Sequence, residues 1–489
     1  MEPTRAALTS RLSKRAMRSG DAMRVLGFAL LAAAAAEAGS VAAVVLIVGL
    51  STPLSARADN DPICDGNWHW VPVPGAVCLD GTPTGFQYAC SSRLGPSAPL
   101  LVFFDGGGAC WDADTCNCEY SVARFGCTSA TAGIFMDHYD LTGSCDGQPY
   151  GACIGGNGQG YTADLGEAPV FSGPTSGFNT TGGIGEDGLN RWNMIQIPYC
   201  TGDVHAGSGQ TSAFTASDGR TYTATFNGYN NVVLDITVAS SLFHNPSKVA
   251  LWGESAGSMG VTCDSQRVAQ VWPQLRYTMA NSGPPFDSEF IPEWPAVGLL
   301  WGAWKPGPSG TVIGVTCPVP ANSSAPWGTD LVARSNAQRL PQVRQALTDD
   351  YADVAMDQSF CALGATANAQ GSCASALTAN NLDVLAEDIG QQNPNYKVFY
   401  HDSNCHAERE IDGNGLQCAT GANAGFSCNC PPGATSCLDG ASCGAASAAC
   451  SVDPFNCNYD DMVQDGLHFY DWVRQWLQFP GFHDWDDVE

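Results

Sequence analysis

Short apolar runs separated by stretches of helical periodicity are the main pattern of hydrophobic and polar positions along this chain. Five consecutive apolar residues at 100–104 predict a buried strand, and the apolar run at 249–252 and the largely apolar segment 396–400 predict two more. Residues 230–243 carry apolar side chains at helical spacing, and 256–272 has no proline, so both segments predict helices. The predicted helix at 230–243 precedes the apolar run 249–252, and the predicted helix at 256–272 follows that run after three intervening residues.

Weaker patterns surround these elements. Residues 192–198 have strand character, and 467–477 predicts an amphipathic helix whose apolar face docks on the body of the protein. The segment 111–190 is rich in Gly, Thr, Ser and Asp and holds five cysteines, which predicts a loop-rich insertion held by disulfides. Segment 405–457 has eight cysteines and almost no apolar periodicity, so we expect disulfides to hold it as well. It either overhangs the functional site or forms a rigid surface knob.

The residues after the second apolar run form a Gly-x-Ser-x-Gly motif, with Ser255 at its centre between Gly253 and Gly257. In a nucleophile elbow, a sharp turn from strand to helix strains the serine backbone and exposes its hydroxyl, and small flanking residues tolerate that turn. The following helix also places the Ala256 N–H where an oxyanion would form. The motif therefore predicts a serine hydrolase, and the alternative is an ordinary serine in a Gly-rich turn.

A glycine loop follows the first apolar run, at Asp105-Gly106-Gly107-Gly108. Consecutive glycines after a core strand let backbone N–H groups turn toward one point, as in the oxyanion loop of esterases. A plain turn is the alternative, and a phosphate-binding loop is disfavoured because its lysine is missing. The order strand, glycine loop, strand, elbow predicts an α/β-hydrolase-like fold, with a mostly parallel central sheet flanked by helices and disulfide-stapled loop insertions.

In that fold the orienting acid and the base follow the serine along the chain. Of the four later histidines, His468 and His483 are expected to be structural or surface residues. His401 and His406 both stand just beyond the predicted strand 396–400, and spacing favours neither as the base. Composition does not choose among the candidate acids, which are Asp349, Asp350, Asp353 and Asp357.

Four segments resemble the pectin acetylesterase and Notum family. They are 104–111, 197–207, 252–257 and 471–473, and the second of them, Ile-Pro-Tyr-Cys-Thr-Gly-Asp-Val-His-Ala-Gly, is the most specific. The resemblance is spread over residues 64–478. That family consists of secreted, disulfide-bonded α/β-hydrolase-like carboxylesterases, so the resemblance implies a carboxylesterase that deacetylates an O-acetylated, pectin-like polysaccharide.

Residue by residue, the resemblance implies Ser255 as the nucleophile, His406 as the base and Asp357 as the orienting acid. It implies an oxyanion hole formed by the N–H groups of Gly106, Gly107 and Ala256. The implied two-step acyl transfer needs neither a metal nor an organic cofactor. The chain departs from the family at Ala109, where an aromatic residue is usual, and in the cysteine-dense stretch after His406. A general carboxylesterase or lipase and a catalytically inactive secreted binding protein are the alternatives.

The N-terminal 58 residues carry seven Lys or Arg and three acidic residues, with a long apolar stretch at 25–50 and small residues at Ala56 and Ala58. This pattern predicts a signal peptide at 1–58, followed by a single secreted catalytic domain at 59–489. The alternative is an uncleaved membrane anchor, and without it no stable membrane partner is expected. All 22 cysteines follow this segment, which favours up to eleven disulfides over zinc sites.

Beyond residue 58 the chain has 14 Lys or Arg and 45 Asp or Glu. So few cations in a strongly negative field exclude a nucleic-acid binder. The same field repels unsubstituted pectin, which is a polyanion, so a heavily esterified polysaccharide or a small acyl ester is the expected substrate. The acidity is equally well explained as a device for solubility or salt tolerance.

Overall fold

A computed structural model gives the structure of the protein. It describes residues 61–66, 68–79, 81, 83–106, 108–113, 116, 144–145, 148–149, 192–215, 219, 221–283, 285–286, 293–306, 312–317, 328–350, 353, 382–401, 463–464 and 467–478. All of them belong to Asp61–Glu489, one of two units into which the chain divides. The predicted signal segment, the cysteine-rich stretch 405–457 and nearly all of 111–190 lie outside the described residues.

Sixteen strands, six α-helices and one short 3-10 helix (Gly95–Ser97) occur in the described ranges. The strands are β1 (Trp68–Val77), β2 (Pro83–Ala89), β3 (Leu100–Phe104), β4 (Ser144–Cys145), β5 (Gln148–Pro149), β6 (Asn193–Ile197), β7 (Gln210–Thr215), β8 (Thr221–Phe226), β9 (Val249–Glu254), β10 (Leu275–Asn281), β11 (Trp304–Pro306), β12 (Val312–Gly314), β13 (Arg344–Asp350), β14 (Tyr396–His401), β15 (Val463–Gln464) and β16 (Leu467–His468). The helices are α1 (Gly228–Leu242), α2 (Ala256–Val271), α3 (Trp294–Leu300), α4 (Thr329–Arg339), α5 (Leu382–Gln392) and α6 (Phe469–Trp476).

The central sheet has eight strands in the order β1-β2-β6-β3-β9-β10-β13-β14. Every neighbouring pair from β6 to β14 is parallel, whereas β2 is antiparallel to both of its neighbours. The predicted mixed α/β architecture with a mostly parallel central sheet is therefore confirmed. Because the six strands from β6 to β14 share one direction, their carboxyl ends meet at one edge of the sheet.

Both faces of the sheet are covered, which explains why its inner strands are continuous apolar runs. In β3, Leu100, Val102 and Phe104 belong to the core shared with α1 and α2. Leu101 and Phe103 point to the other face and share a core with α6. Side chains of a strand alternate between faces, so a five-residue run in which every position is buried requires helices on both sides.

The C-terminal helix differs from its prediction at one end. Residues 467–477 predicted one helix, but Leu467 and His468 form β16, which pairs with β15, and the helix begins at Phe469. Its apolar face docks as expected, since Trp472, Val473 and Trp476 are fully buried.

In the described ranges, eight cysteines form four disulfides, Cys64–Cys90, Cys78–Cys200, Cys110–Cys116 and Cys263–Cys317. The expectation of disulfides is confirmed for these cysteines, and four such bonds indicate an oxidising, extracellular type of environment. Among the helices in the described ranges, none has the length and apolar character needed to cross a bilayer.

Candidate active site

Ser255 lies in a strained turn at the carboxyl end of β9, directly before α2. Its backbone angles are φ 53° and ψ −119°, in a region that side chains of L-residues rarely occupy. The Ser255 N–H donates to the Asn281 carbonyl oxygen at 2.8 Å, and its own carbonyl accepts from the Ser258 hydroxyl at 2.6 Å. These bonds hold the serine in the turn that the Gly-x-Ser-x-Gly motif predicts, with its side chain half-buried.

The two glycines of the motif are required by close backbone approaches. A Cβ atom at Gly253 would lie 2.2 Å from the Gly257 carbonyl oxygen, and one at Gly257 would lie 2.1 Å from the Phe104 carbonyl oxygen. Real Cβ atoms do not come that close to a backbone oxygen. The first turn of α2 therefore packs directly against the end of β3, where the glycine loop begins.

Gly106 of the glycine loop packs on the serine itself. A Cβ atom at Gly106 would lie 2.4 Å from the Glu254 carbonyl oxygen and 3.0 Å from the Ser255 Cβ. Ala256, the next residue after Ser255, is buried and opens α2, where backbone N–H groups have no acceptor within the helix. The structure thus brings together Ser255 and two of the three predicted oxyanion donors, and Gly107 lies outside the described residues.

Two of the candidate orienting acids end β13, at the same edge of the sheet, and the other two follow it along the chain. Glu254 pairs in register with Asn281, and Asn281 pairs with Thr348, so the ends of β9, β10 and β13 are level. Asp349 and Asp353 are buried at this edge. Asp350 is the last residue of β13, and Asp357 lies outside the described residues. The structure places the end of β13, with Asp349 and Asp350, at the edge of the sheet where the serine is.

One candidate base ends β14, the last strand of the sheet, and the other follows it along the chain. His401 ends β14, and its register partner on β13 is Asp350. His406 comes five residues later and lies outside the described residues, as does His483. His468 lies in β16, more than 60 residues after the end of β14. The chain therefore leaves the sheet toward His406 from the same edge that presents Ser255.

The loop after β6 is the part of the site whose role sequence reasoning missed. In the sequence, residues 199–207 stand out only as part of the most specific segment of the family resemblance, yet they are buried beneath the glycine loop. The Tyr199 hydroxyl donates to the Gly108 carbonyl oxygen at 2.9 Å, and the Cys110 N–H donates to the Gly202 carbonyl oxygen at 2.7 Å. The His205 Nε2 lies 2.8 Å from the Asp105 carbonyl oxygen. The signal available in the sequence was polar Thr201, Asp203 and His205 directly after a buried strand of a parallel sheet.

This loop, residues 199–207, is itself strained and tightly bonded. Val204 and His205 have φ angles of 48° and 59°, which is unusual for residues other than glycine. The Asp203 carboxylate accepts from the Thr201 hydroxyl at 2.6 Å and from the Gly228 N–H at 2.8 Å. Burial raises the pKa of Asp203 to about 6, although these hydrogen bonds oppose the rise. Burial lowers the pKa of His205 to about 4, so this imidazole is neutral at pH 7.

The side chain at the start of the glycine loop is fixed by amides on neighbouring strands. Gln196 on β6 donates from Nε2 to Asp105 Oδ1 at 2.7 Å, and Gln87 on β2 donates to the Gln196 side-chain oxygen. Asp105 is 1% exposed, and its N–H donates to the Ile197 carbonyl oxygen at 3.1 Å. The start of the loop is thus held through both its backbone and its side chain.

An aromatic cluster supports the other end of the glycine loop. Trp301 donates from Nε1 to the Cys110 carbonyl oxygen at 2.7 Å. The Trp294 ring centroid lies 5.5 Å from that of Trp301 and 4.9 Å from that of Phe286, and both contacts are edge-to-face. Ala109 packs against the same core. The loop is therefore anchored at both ends by side chains from distant parts of the chain.

In the described ranges, the His, Cys, Asp and Glu side chains do not form a group of three or more able to hold a metal ion. The sequence matches no protein-family model, and no curated protein is similar to it at a significant level. The roles of these residues are therefore inferred from their own geometry and chemistry.

Proposed function

We propose that this protein is a serine carboxylesterase in which Ser255 is the nucleophile. The observation that carries the proposal is the strained backbone of Ser255 at the end of a central parallel strand, with Gly106 packed against it. Strain of this kind persists only where the surrounding structure enforces it, and it is concentrated at functional sites. An ordinary serine in a turn needs neither the strain nor the glycine packed on its Cβ.

The fold that suits this site is the α/β-hydrolase fold. In that fold the oxyanion loop follows the third strand, and the nucleophile sits on a strand-to-helix turn at the top of the sheet. Here the glycine loop follows β3, and β9, which carries Ser255, is its immediate parallel neighbour. Adjacent parallel strands bring the loop and the elbow to the same edge, which supports the assignment.

The proposed mechanism is two-step acyl transfer. His406, oriented by Asp357, takes the proton from the Ser255 hydroxyl as its oxygen attacks the ester carbonyl. The N–H groups of Gly106, Gly107 and Ala256 stabilise the oxyanion, and one such donor contributes about 100- to 1,000-fold to kcat. The alcohol leaves with the proton from His406, and water then releases the acid from the acyl-enzyme by the same steps.

We propose an O-acetylated, pectin-like polysaccharide as the substrate and the extracellular space as the site of action. The family resemblance of the glycine loop, the elbow and residues 197–207 supports the substrate class. The excess of acidic residues favours a heavily esterified polymer over a free polyuronate, because like charges repel. The four disulfides support secretion.

The experiment that tests the proposal is acetate release by the secreted protein, with Ser255→Ala beside it, from acetylated pectin, acetylated xylan and p-nitrophenyl esters of increasing chain length. We expect the wild-type protein to release acetate from a polymer, and we expect kcat for this release to fall by about six orders of magnitude in Ser255→Ala. Activity restricted to small or longer-chain esters would identify a general carboxylesterase or lipase. Equal rates for both proteins, with no fluorophosphonate attached to Ser255, would leave a binding protein on a hydrolase scaffold.

A further inference from the structure

The hydrogen bond between His205 and Asp105 is made to the peptide group that also carries the N–H of the proposed oxyanion donor Gly106. The His205 Nε2 is 2.8 Å from the Asp105 carbonyl oxygen. A carbonyl oxygen has no proton to give, so Nε2 carries the hydrogen and donates it. The carbonyl that accepts this bond and the Gly106 N–H belong to the same peptide unit.

That shared peptide gives the contact its consequence. A trans peptide is planar, so its C=O and N–H point in opposite directions. The structure contains no cis peptide bonds in its described ranges. Fixing the direction of the Asp105 carbonyl therefore fixes the direction of the Gly106 N–H on the other side of the plane. Gly106 packs against the elbow at this point, because a Cβ atom built on it would lie 2.4 Å from the Glu254 carbonyl oxygen and 3.0 Å from the Ser255 Cβ.

His205 is held firmly enough to act as a fixed donor. Its ring lies between the rings of Phe104 and Tyr199, with centroid distances of 5.1 Å and 4.9 Å. Gly260 of α2 makes room for it, because a Cβ atom there would lie 2.9 Å from the His205 Cδ2. The residue is 2% exposed. Water therefore does not compete with the Asp105 carbonyl for the Nε2 hydrogen.

We propose that His205 is a positioning residue of the oxyanion hole: by donating to the Asp105 carbonyl oxygen, it sets the direction in which the Gly106 N–H points. This inference rests on the proposed esterase function. Residues 199–207 would then be part of the catalytic machinery without touching the substrate. The low pKa of His205, caused by its burial, keeps the imidazole neutral across the pH range in which a histidine base works.

The test compares His205→Gln with His205→Met, which are unbranched and of similar length but differ in the presence of an N–H donor. Wild type, Ser255→Ala and the exposed-site control His244→Gln are measured beside them. The readouts are kcat and KM for p-nitrophenyl acetate, the rate of fluorophosphonate attachment to Ser255, and the melting temperature. If His205→Met does not fold, His205→Phe replaces it, since its ring suits the space between Phe104 and Tyr199.

For the donor-free variant we expect kcat and the labelling rate to fall about 10- to 100-fold, less than the full loss of one oxyanion donor, with KM within about threefold of wild type. His205→Gln should recover most of the rate at a similar melting temperature. A folded donor-free variant with the wild-type kcat overturns the inference, as does a folded His205→Gln as slow as His205→Met. A wild-type protein no more active than Ser255→Ala, and not labelled, refutes the esterase function itself and the inference with it.

Discussion

At the scale of single residues, the backbone of Ser255 stores strain that the fold must hold in place. A non-glycine residue in a sparsely populated φ, ψ region costs about 1–3 kcal/mol. The bond from the Ser255 N–H to the Asn281 carbonyl and the bonds from Ser258 to the Ser255 carbonyl offset that cost. The turn thus places a hydroxyl above the sheet at the expense of stability.

Replacing this serine by glycine should therefore stabilise the protein. We expect Ser255→Gly to have a free energy of unfolding about 1 kcal/mol higher than Ser255→Ala, because glycine adopts positive φ without a Cβ clash. Urea titrations of both variants measure the difference. Ser247→Gly, at an exposed position with ordinary φ, is the control and should bring no gain. An equal or lower stability of Ser255→Gly would show that the turn is not strained.

Gly106→Ala tests the close approach of the glycine loop to the elbow. The added Cβ would lie 2.4 Å from the Glu254 carbonyl oxygen, so the loop must move away from Ser255. We expect Ser255-dependent esterase activity to fall at least about 100-fold, as for the loss of an oxyanion donor. In the control Gly81→Ala the added Cβ meets no atom within 4 Å, so this variant lacks the close approach and should keep full activity. Wild-type kcat in Gly106→Ala would place the oxyanion hole elsewhere.

What could be predicted at this scale depends on how local the signal is. The geometry of Ser255 and the proximity of Gly106 follow from short motifs, because the elbow and the glycine loop are each set by a few consecutive residues. The contact of His205 joins residues 100 positions apart in the chain. No local pattern encodes that distance, so the role of residues 199–207 emerged only from the fold. The assignments of Asp357 and His406 stay predictions.

At the scale of elements, apolar runs predicted β3, β9 and β14 of the central sheet, whereas β10 and β13, which lie in the same sheet, were not predicted. The strands β3 and β9 were predicted because nearly all of their residues are apolar and both of their faces are buried, and β14 was predicted although the half-buried Lys397 interrupts its apolar residues. The β7–β8 hairpin was not predicted, because its first strand is largely exposed and rich in polar residues. The start of α6 was misplaced by two residues, since β16 continues the same apolar and aromatic pattern.

The docking of α6 should contribute strongly to stability. Trp476 is fully buried, makes edge-to-face contacts with Trp252 and Tyr277, and donates from Nε1 to the Arg344 carbonyl oxygen at 3.1 Å. We expect Trp476→Ala to lower the free energy of unfolding by about 3–5 kcal/mol, because it leaves a large cavity against the sheet. Chemical denaturation measures this, with the partly exposed Gln475→Ala on the same helix as the control. A cost below that of an ordinary surface substitution would mean that α6 is not part of the core.

At the scale of the whole molecule, an acidic chain also buries carboxyl groups in its interior. Burial raises the pKa of Asp203, Asp235 and Asp264, and Asp203 raises the pKa of Asp264 further, whereas Arg267 opposes the rise. In the described part of the chain, neither oxygen of Asp264 has a hydrogen-bond partner. A carboxyl whose pKa is raised by folding stabilises the fold when protonated, and that stabilisation is lost as pH rises through its folded pKa.

Two further groups titrate in the same range with opposite signs. The pKa of Asp203 is about 6 in the folded protein, so its titration lowers the free energy of unfolding as pH rises from about 4 toward 6. The pKa of His205 is lowered to about 4, so its titration raises the free energy of unfolding as pH rises from about 4 to 6.5. The reason is that the unfolded chain binds the proton more tightly than the folded protein does. Their opposing contributions partly cancel, so the pH dependence of wild type alone does not isolate Asp264.

The variant Asp264→Asn isolates the contribution of Asp264 to the pH dependence of stability. The asparagine amide does not titrate, whereas Asp203 and His205 are still present. We expect the free energy of unfolding of Asp264→Asn, minus that of wild type, to be larger at pH 7.5 than at pH 4.5. Only in wild type must the buried Asp264 carboxyl either ionise or keep its proton as pH rises, and both cost stability. Urea titrations at both pH values give the difference. The control is Asp388→Asn: the bond from Arg334 lowers the pKa of Asp388, so its relative stability should not change in this window. If the difference in unfolding free energy between Asp264→Asn and wild type were the same at both pH values, as expected for the control, the Asp264 carboxyl would be solvated in the folded protein.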